Sequence, residues 1–295
     1  AILGGKGICL ANSVRRGDIG IIGASGTGSQ EVSVRIHDFG GGVSQLIGTG
    51  GRDLSAEVGG ITMLDSLEAL ESDPETKVIL LLSKQPAQSV AAKIYEAVRE
   101  CKKPIVICFL GGNREEVEKS GAVFAKTTEE AALKAVELSG LKGTVEAHPL
   151  NTAFIEEVKG KLKDEQKYIR GLYCGGTLCD ESAKLVSEKF SNVYSNISKD
   201  PNLKLKDVHE SKEHTFIDFG DDEFTKGRPH PMIDPSLRIE RFYQEARDKE
   251  VAVVVLDFEL GYGSHPDPVG VMIPAIKEIK EELKKEDRHL EILAY

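Results

Sequence analysis

The sequence lacks the features of membrane-spanning, nucleic-acid-binding and disulfide-stabilised proteins. No apolar run approaches the roughly 20 residues that a membrane-spanning helix needs, and no signal peptide is visible. The formal net charge is −10, whereas binding to nucleic acid requires a basic surface. Five scattered cysteines, an odd number, indicate free thiols in a reducing compartment, and Cys174 and Cys179 are not spaced like metal ligands. We therefore expect a cytoplasmic protein that binds neither a membrane, nor nucleic acid, nor a metal ion.

What the sequence does contain is one series of motifs, present twice. Each series opens with an apolar strand that runs into a Gly-rich turn, at residues 17–29 and again at 168–182. Each continues with a Met-x-Asp motif, Met-Leu-Asp-Ser-Leu and then Met-Ile-Asp-Pro-Ser-Leu, and with the buried-strand runs 78–82 and 251–256. The fixed order indicates a duplicated domain, and the length of 295 residues suits two domains.

Strands and helices alternate along the predicted elements, which indicates an α/β fold with doubly wound parallel sheets. In the first copy we predict strands at 19–22, 43–47, 78–82, 105–110 and 122–126. Helices are predicted at 31–39, capped by Thr27 or Ser29, and at 61–71. Two more are predicted to run through Cys101 and to end near Gly140. In the second copy we predict helices at 182–193 and 270–285 and a final strand at 291–295.

These elements define four segments. Residues 17–140 and 167–295 are the two domains, and the charged residues 141–166 form a partly helical linker between them. Residues 1–16 read as the tail of a preceding domain. The chain begins at Ala1 without a methionine and ends within a predicted strand, so we expect the sequence to lack segments at both ends.

The first turn is a candidate anion site. Its residues Ser25, Gly26, Thr27 and Gly28 present backbone N–H groups and hydroxyls where a helix begins, and a helix N-terminus favours negative charge. The turn lacks the Lys-Ser/Thr of a P-loop and the Gly-x-Gly-x-x-Gly pattern, so it supports nucleotide binding only weakly. The equivalent turn of the second copy contributes Gly175 and Gly176 to the predicted anion site. The alternative is that the glycines serve only a tight turn.

A second candidate is the segment Gly261-Tyr-Gly-Ser-His-Pro-Asp, which follows the strand run of the second copy. It places Gly263, Ser264 and His265 where a helix is expected to begin, at the carboxyl end of a central strand. His265 is suited to donate to developing negative charge or to transfer a proton near neutral pH. The alternative is a structural histidine that caps its own loop.

A third candidate is the polar segment 216–234. Lys226, Arg228 and His230 are suited to hold a phosphate or carboxylate, and the acidic residues 221–223 to orient them or to bind a divalent ion. The corresponding loop of the first copy contributes Arg52, and Lys84 ends its third strand. The alternative is a solvated charged loop.

Together these motifs resemble the FdrA family, which is related to the succinyl-CoA synthetases. The resemblance covers nearly the whole chain and rests on residues 19–28, 50–54 with 57–60, 224–234 and 261–268. It implies that the first copy corresponds to the second domain of the synthetase α subunit and the second copy to the carboxyl-terminal domain of the β subunit. Residues 1–16 would then be the tail of a missing CoA-binding-like domain. It further implies two flavodoxin-like domains about a pseudo-twofold axis, with the helices after Ser25 and Ser264 pointing at a shared anion.

Two departures from the synthetases bear on mechanism. The synthetase α domain carries a loop whose histidine is phosphorylated during turnover, but here residues 109–122 contain no histidine. Lys84 stands where the synthetases have the glutamate that partners this histidine. The chain also has no ATP-grasp domain. We therefore expect no phosphohistidine intermediate.

The resemblance implies an FdrA-type acyl-CoA synthetase homologue that binds an acyl phosphate or a similar anion at the domain junction. In this interpretation His265, Lys84 and Arg228 are catalytic, no cofactor is certain, and CoA or carbamoyl phosphate is a substrate. One alternative is a subunit of an oxamate carbamoyltransferase of allantoin (purine) catabolism, and another is a non-catalytic scaffold subunit. The expected partners are a small anionic substrate, a second copy in a homodimer, and subunits encoded nearby.

Overall fold

The structure, a computed structural model, describes residues 1–8, 11–143 and 150–295. The chain divides into two compact units. Residues 1–143 and Gly261–Gly263 belong to the first unit, and residues 150–260 and 264–295 to the second. The division falls within the predicted linker 141–166, of which residues 144–149 lie outside the described residues.

The first unit consists of a sheet with helices on both faces. Its strands are β1 (Ile2–Leu3), β2 (Lys6–Gly7), β3 (Arg16–Gly23), β4 (Val43–Gly48), β5 (Val78–Lys84), β6 (Ile105–Leu110) and β7 (Val123–Phe124). Its helices are α1 (Gly26–Asp38), α2 (Ile61–Ser72), α3 (Gln88–Glu100), α4 (Arg114–Lys119) and α5 (Thr128–Leu138). The sheet order is β2-β1-β4-β3-β5-β6-β7, and β3 to β7 are parallel. The parallel strands follow the doubly wound order of the flavodoxin fold.

The second unit has the same kind of architecture. Its strands are β8 (Tyr168–Tyr173), β9 (Val193–Ser195), β10 (His214–Asp218), β11 (Val251–Leu256) and β12 (Glu291–Ala294). Its helices are α6 (Thr152–Lys161), α7 (Gly176–Ser187), α8 (Asp222–Thr225), α9 (Ser236–Arg247) and α10 (Pro268–Lys285). The sheet order is β12-β11-β8-β10-β9, and all its strand pairs are parallel.

The two sheets share a four-strand core. The order β4-β3-β5-β6 of the first unit corresponds to β10-β8-β11-β12 of the second. The units differ at the edge beside β4 and β10, where the first has antiparallel β1 and the second has parallel β9. The predicted α/β class with parallel sheets is confirmed, and the shared order fits the predicted duplication. The residues expected to be the tail of another domain supply β1 and β2.

The core of the first unit lies on both faces of its sheet, as a doubly wound fold requires. The strands β5 and β6 are apolar throughout, so alternate residues face the two layers of helices. Ile21 and Leu80 pack in the layer that includes α1 and α5, whereas Ile22 and Leu81 pack in the layer that includes α2 and α3. This packing fixes the carboxyl ends of the strands, where the candidate site lies.

Three predicted helices begin at different residues from those expected. Helix α1 begins at Gly26, not residue 31, because the Ser25 side chain accepts from Gly28 N–H and caps it. Helix α7 begins at Gly176, directly after β8, and ends at Ser187, so Val193 is free to enter β9. Helix α10 begins at Pro268, with Asp267 as its cap.

Two other expectations concern the cysteines and the membrane. Cys101, Cys108, Cys174 and Cys179, the cysteines that the structure describes, form no disulfide bond with one another. Among the described residues no helix has both the length and the hydropathy to cross a bilayer.

Candidate functional site

The predicted anion-binding turn of the first unit joins β3 to α1. Gly23 ends the strand, and a Cβ built there would lie 1.9 Å from Ser29 Oγ, so a side chain at this position would collide with the helix. Ser29 Oγ donates to the Ser25 carbonyl (2.5 Å), and Ser25 Oγ accepts from Gly28 N–H (3.1 Å). The hydroxyls of the turn therefore organise the turn itself.

Two N–H groups remain open at this turn. Gly28 N–H is used by Ser25, but the N–H groups of Gly26 and Thr27 have no acceptor within the part of the chain that the structure describes. Gly26 is exposed, and a Cβ built on it would meet nothing within 4 Å. Open amides at a helix N-terminus attract an anion, because the unpaired N–H groups and the helix dipole both favour negative charge. Of the four residues predicted here, Gly26 and Thr27 retain donors for a ligand.

The ends of three parallel strands meet beside this turn. Thr49 N–H donates to Gly23 O (2.9 Å), and Ala24 N–H donates to Leu82 O (2.9 Å). Lys84, which is half-buried, is the last residue of the same strand as Leu82. The predicted residue Lys84 thus lies at the carboxyl edge of the sheet, the edge at which open α/β sheets bind ligands.

The loop after β4 carries Arg52 at the same edge. A Cβ built on Gly51 would lie 3.8 Å from Ala24 O, so this loop lies against the turn, and Arg52 itself is exposed. The next residue, Asp53, is buried and accepts from the first amides of α2, Thr62 N–H and Met63 N–H (both 2.9 Å). A carboxylate of the protein therefore occupies the second helix N-terminus of this edge.

No histidine lies at this edge in the described residues of the first unit. After β6, the chain turns through residues 111–113 into α4, whose cap is Asn113. His37 lies in the last turn of α1, at the far end from Ser25, and its Nδ1 accepts from Arg15 N–H (3.0 Å). The first unit thus places no histidine where a phosphate on the Gly26 amides would reach it.

In the second unit the equivalent turn is already filled by a carboxylate. Asp257 accepts from Cys174 N–H (2.7 Å) and Gly175 N–H (2.9 Å). The predicted anion-binding role of Gly175 is therefore at odds with this structure, because its amide has an internal anion. Gly176, the first residue of α7, keeps an N–H group without an acceptor among the described residues.

Arg238 balances this internal anion. Its Nη1 lies 2.7 Å from Asp257 Oδ1 and 2.6 Å from Cys174 Sγ, and both members of the ion pair are 1% exposed. Burial raises the pKa of the Cys174 thiol well above its ordinary value, and the Asp257 charge adds to this. The thiol is therefore not a nucleophile near neutral pH.

Glu259 belongs to the same buried cluster as Arg238 and Asp257, and it lacks hydrogen bonds within the described part of the chain. It is 8% exposed, and neither carboxyl oxygen has a hydrogen-bond partner among the described residues. Burial raises the pKa of Glu259 well above its ordinary range, and the charge of Asp257 raises it further. Burial also raises the pKa of Asp257, but Arg238 and the two amides lower it. We assign the proton of the pair to Glu259, because Asp257 has the donors that stabilise an anion.

Glu259 and Lys84 occupy corresponding positions in the two units, as the register of the strand pairs shows. The register at the carboxyl edge is the same in both units, with Ile22 opposite Leu81 and Leu172 opposite Leu256. Helices α1 and α7 begin at corresponding residues, Gly26 and Gly176. Lys84 and Glu259 each stand three residues beyond the corresponding strand residue. The two copies therefore carry a cation and a carboxyl group at equivalent positions, and only Lys84 was predicted from the sequence.

Segment 261–267 of the second copy does not begin its helix at the residues that were expected. Gly263 belongs to the first unit, while Ser264 and His265 belong to the second. His265 is half-buried, its N–H donates to Met232 O (2.7 Å), and its Nδ1 accepts from Asp267 N–H (3.0 Å). Asp267 in turn accepts from Gly270 N–H (2.7 Å), so a carboxylate and not Ser264 caps α10. His265 keeps Nε2 available for a ligand, since Nδ1 serves the loop.

The structure brings His265 and Arg228 near one residue, Asp234. Hydrogen bonds from Ser236 lower the pKa of Asp234, and the charges of His265 and Arg228 lower it further. Both cationic groups therefore lie within electrostatic range of the same carboxylate. Asp234 was not among the predicted site residues, although it belongs to the Met-Ile-Asp-Pro-Ser-Leu motif.

The three basic residues predicted in segment 216–234 lie in two different places. Lys226 and Arg228 are exposed and line a pocket of about 300 Å³ together with Glu223. His230 lies instead at the strand ends, where a Cβ on Gly220 would be 2.6 Å from its Nε2. Burial lowers the pKa of His230, so it is a neutral ligand at pH 7 and weaker for anions than predicted. Among the described residues no group of acidic, His or Cys side chains is arranged to hold a metal ion, so residues 221–223 form no such site.

Comparison with known protein families finds one match in each half of the chain. Residues 172–292 match the CoA-ligase family, and residues 14–111 match the CoA binding domain family. The two matches fall on the two units separately, and neither extends over half of the chain. The CoA binding domain match falls on the segment that the sequence analysis compares with the second domain of the synthetase α subunit, and the predicted domain boundaries remain predictions.

Individual proteins are also similar to all or part of this chain. The uncharacterised protein YahF of Escherichia coli (strain K12) is 59% identical over 296 residues, which span 100% of this chain and 58% of YahF. The α subunit of succinate–CoA ligase from Aquifex aeolicus is 30% identical over 141 residues, 45% of this chain and 44% of that subunit. The apo structure of a dinucleotide-forming acetyl-coenzyme A synthetase from Ca. Korarchaeum cryptofilum has 14% identity and a TM-score of 0.37, over 96% of this chain and 62% of that one. The chain thus spans only about half to three fifths of these relatives.

Proposed function

We propose that this chain is part of an acyl-transferring enzyme of the CoA-ligase superfamily, of the FdrA type, which binds an acyl phosphate or a related phosphate-bearing anion. The open N–H groups of Gly26 and Thr27 carry this proposal. They lie at the carboxyl edge of a parallel sheet with Lys84 at the end of the same edge, and this combination suits a phosphoryl group. The matches to CoA-ligase and CoA binding domains support the same class of substrate.

Three side chains are assigned roles in this reaction. His265 and Arg228, whose charges both act on Asp234, stabilise negative charge that develops on a phosphoryl or acyl-phosphate group, and Lys84 binds an anion at the carboxyl edge of the first unit. Donors aimed at charge that develops in the transition state are the groups whose loss most affects turnover.

The acyl group is transferred without a phosphohistidine. The first unit supports this, because in its described residues the turn after β6 has no histidine and His37 lies at the opposite end of α1. Lys84 also supplies a positive charge, which would stabilise a bound phosphate but would not orient a neutral imidazole as a carboxylate does.

A second candidate is carbamoyl transfer, as in an oxamate carbamoyltransferase of allantoin catabolism. Carbamoyl phosphate would be used without a phosphohistidine. The turn after β6, whose described residues contain no histidine, is compatible with such a reaction. CoA would then not be a substrate, and subunits encoded nearby would supply the rest of the enzyme.

Phosphate release tests the proposal and separates its alternatives. The chain would be incubated with acetyl phosphate and CoA, and separately with carbamoyl phosphate and oxamate, each with and without the proteins of neighbouring genes. Release with the first pair supports CoA-dependent acyl transfer, and release with the second supports carbamoyl transfer. A third candidate, a scaffold subunit, predicts release that is unaffected by His265→Ala. Acid-labile, alkali-stable label on the chain from γ-labelled ATP would contradict transfer without a phosphohistidine.

A further inference from the structure

The second unit contains a cavity of about 640 Å³ away from the strand ends discussed so far. It lies between the end of α6, the last turns of α10 and the start of β12. Its lining includes five basic residues, Lys161, Lys163, Lys280, Lys284 and Arg288, and one acidic residue, Asp287. In a chain with a net charge of −10, such a cavity is a local concentration of positive charge.

Lys163 Nζ donates to the Glu286 carbonyl (3.2 Å), but Lys280 and Lys284 have neither such an acceptor nor a counterion among the described residues. Lys280 and Lys284 lie four residues apart on α10, both are exposed, and neither forms an ion pair within the described residues. Like charges at this spacing destabilise a helix, unless an anion lies against them. By contrast, Lys161 is paired with Glu157 at 2.6 Å. Lys280 and Lys284 are therefore the lysines of the cavity that are available to a ligand.

Arg288 adds a positive charge whose position is fixed by hydrogen bonds. It is 7% exposed, and Nη1 donates to Asp248 O (2.5 Å) while Nη2 donates to Ala246 O. Its Nε has no hydrogen-bond acceptor among the described residues and lies 3.8 Å from Glu286 Oε2. A guanidinium fixed to backbone carbonyls in the wall acts with less solvent screening than a surface lysine.

The floor of the cavity is apolar. Ile279, Leu283 and Leu290 are buried core residues whose side chains also line it. A cavity of this volume is within the range of small-molecule sites, which combine apolar walls with a few polar groups. Phosphate ions alone would leave the apolar floor unused, and an uncharged ligand would leave the lysines unpaired. The ligand that fits has phosphate groups and an apolar or aromatic body.

The cavity lies at the amino-terminal edge of the sheet, because β8 and β12 begin there and α10 ends there. The turn that contains Gly176 lies at the carboxyl edge. The length of β8, six residues, puts about 20 Å between the two edges. A ligand in the cavity therefore does not contact the strand ends of this unit, and it would act as an effector or an anchor.

We propose that this cavity binds an organic phosphate of nucleotide size, with its phosphate groups against Lys280 and Lys284 and its apolar body over Leu283. This inference is independent of the proposed function, which concerns the carboxyl edge. The chemistry fits a free nucleotide and also the nucleotide part of CoA, and the test includes both.

Isothermal titration of the whole chain with ADP, CoA, adenosine and pyrophosphate tests the proposal. ADP or CoA should bind, and the tighter of the two identifies the source of the nucleotide group. Pyrophosphate should bind more weakly and adenosine not measurably. Lys280→Glu with Lys284→Glu should weaken ADP binding at least about tenfold, because attraction becomes repulsion. Lys206→Glu, a charge reversal at an exposed lysine of the same unit outside the cavity, should leave the affinity within about twofold.

Four results would overturn the proposal. The first is an unchanged ADP affinity in the Lys280/Lys284 double variant, and the second is an equal loss in Lys206→Glu, which would mean unspecific charge attraction. The third is binding of neither ADP nor CoA at millimolar concentration. The fourth is loss of ADP binding in Gly26→Pro, which would assign the nucleotide to the turn of the first unit. Acetyl phosphate binding measured alongside shows separately whether the proposed function fails.

Discussion

Arg238 Nη1 and Asp257 Oδ1 lie 2.7 Å apart in the interior of the second unit, and each side chain is 1% exposed. The same carboxylate accepts from the amides of Cys174 and Gly175, so it closes the turn between β8 and α7. The corresponding amide of the first unit, Ala24 N–H, donates instead to the backbone carbonyl of Leu82 (2.9 Å), which stands at the position of Asp257. The described residues of the first unit thus place no carboxylate at this turn, and the amides of Gly26 and Thr27 are open beside it.

The ion pair predicts a large loss of stability in Asp257→Asn. The substitution leaves Arg238 buried without a counter-charge, and breaking such a pair costs about 3–5 kcal/mol. Urea unfolding followed by circular dichroism measures this. Glu282→Gln, which breaks the exposed pair with Arg247, is the matched control and should leave the free energy of unfolding unchanged. A loss below about 1 kcal/mol in Asp257→Asn would mean that the turn does not depend on this anion.

Because Glu259 is neutral in the folded protein, we expect Glu259→Gln to raise the free energy of unfolding by an amount that depends on pH. The folded-state pKa is raised above the unfolded value, so the wild-type group favours folding below about pH 4.3 and progressively less as the pH rises toward the folded pKa. Glutamine does not titrate. The variant should therefore match the wild type near pH 4 and gain stability over it from about pH 5 to 8.

Urea unfolding at several pH values checks this behaviour. Glu281→Gln, at an exposed position of α10, should follow the wild-type curve at every pH. A difference between Glu259→Gln and the wild type that is constant with pH would show that Glu259 is ionised in the folded protein.

His265 is expected to matter for activity much more than for stability. Among the described residues its side chain takes part in one hydrogen bond, from Asp267 N–H to Nδ1, whereas its backbone bond to Met232 is kept in His265→Ala. Removal of a donor to developing charge typically lowers turnover about 10²–10³-fold. Phosphate-release rates and thermal unfolding of the same preparation measure both effects. Turnover at the wild-type rate in His265→Ala would contradict a catalytic role for His265. So would a drop in melting temperature large enough for unfolding to explain the lost activity.

Much of the fold was predictable from the sequence, because the buried strands are continuous apolar runs. The strand Ile105–Leu110 matches its prediction at both ends, and β4 and β5 differ only in their last residues. Helix starts were less predictable. A glycine at the first helical position, as at Gly26 and Gly176, reads as a turn residue in sequence, although a capped helix tolerates it.

The candidate site was predicted in part. The Gly26 turn was found because glycines and hydroxyls after an apolar strand are a strong local pattern. The cluster of Arg238, Asp257 and Glu259 was missed, because its members are distant in sequence and charged residues are usually exposed. The signal was present in α9, where Arg238, Arg241 and Glu245 share the buried stripe of the helix. Charged residues on an apolar stripe indicate internal ion pairs, which a composition argument overlooks.

The central claim is that the open amide of Gly26 binds the phosphoryl group, and Gly26→Pro tests it most directly. Gly26 is the first residue of α1, where proline is tolerated, and Ser25 before it is already extended (φ −127°, ψ 129°), as a residue before proline must be. The substitution therefore removes one N–H group with little other change. Gly26→Ala, whose Cβ meets nothing within 4 Å, keeps the N–H group and is the control.

The deciding measurement is the affinity of both variants for acetyl phosphate and carbamoyl phosphate, by isothermal titration of folded protein. The account predicts that Gly26→Pro weakens binding about tenfold or more, since a charge-assisted hydrogen bond is lost, while Gly26→Ala stays close to the wild type. Equal affinities in Gly26→Pro, Gly26→Ala and the wild type would contradict the account and leave the turn a structural element only.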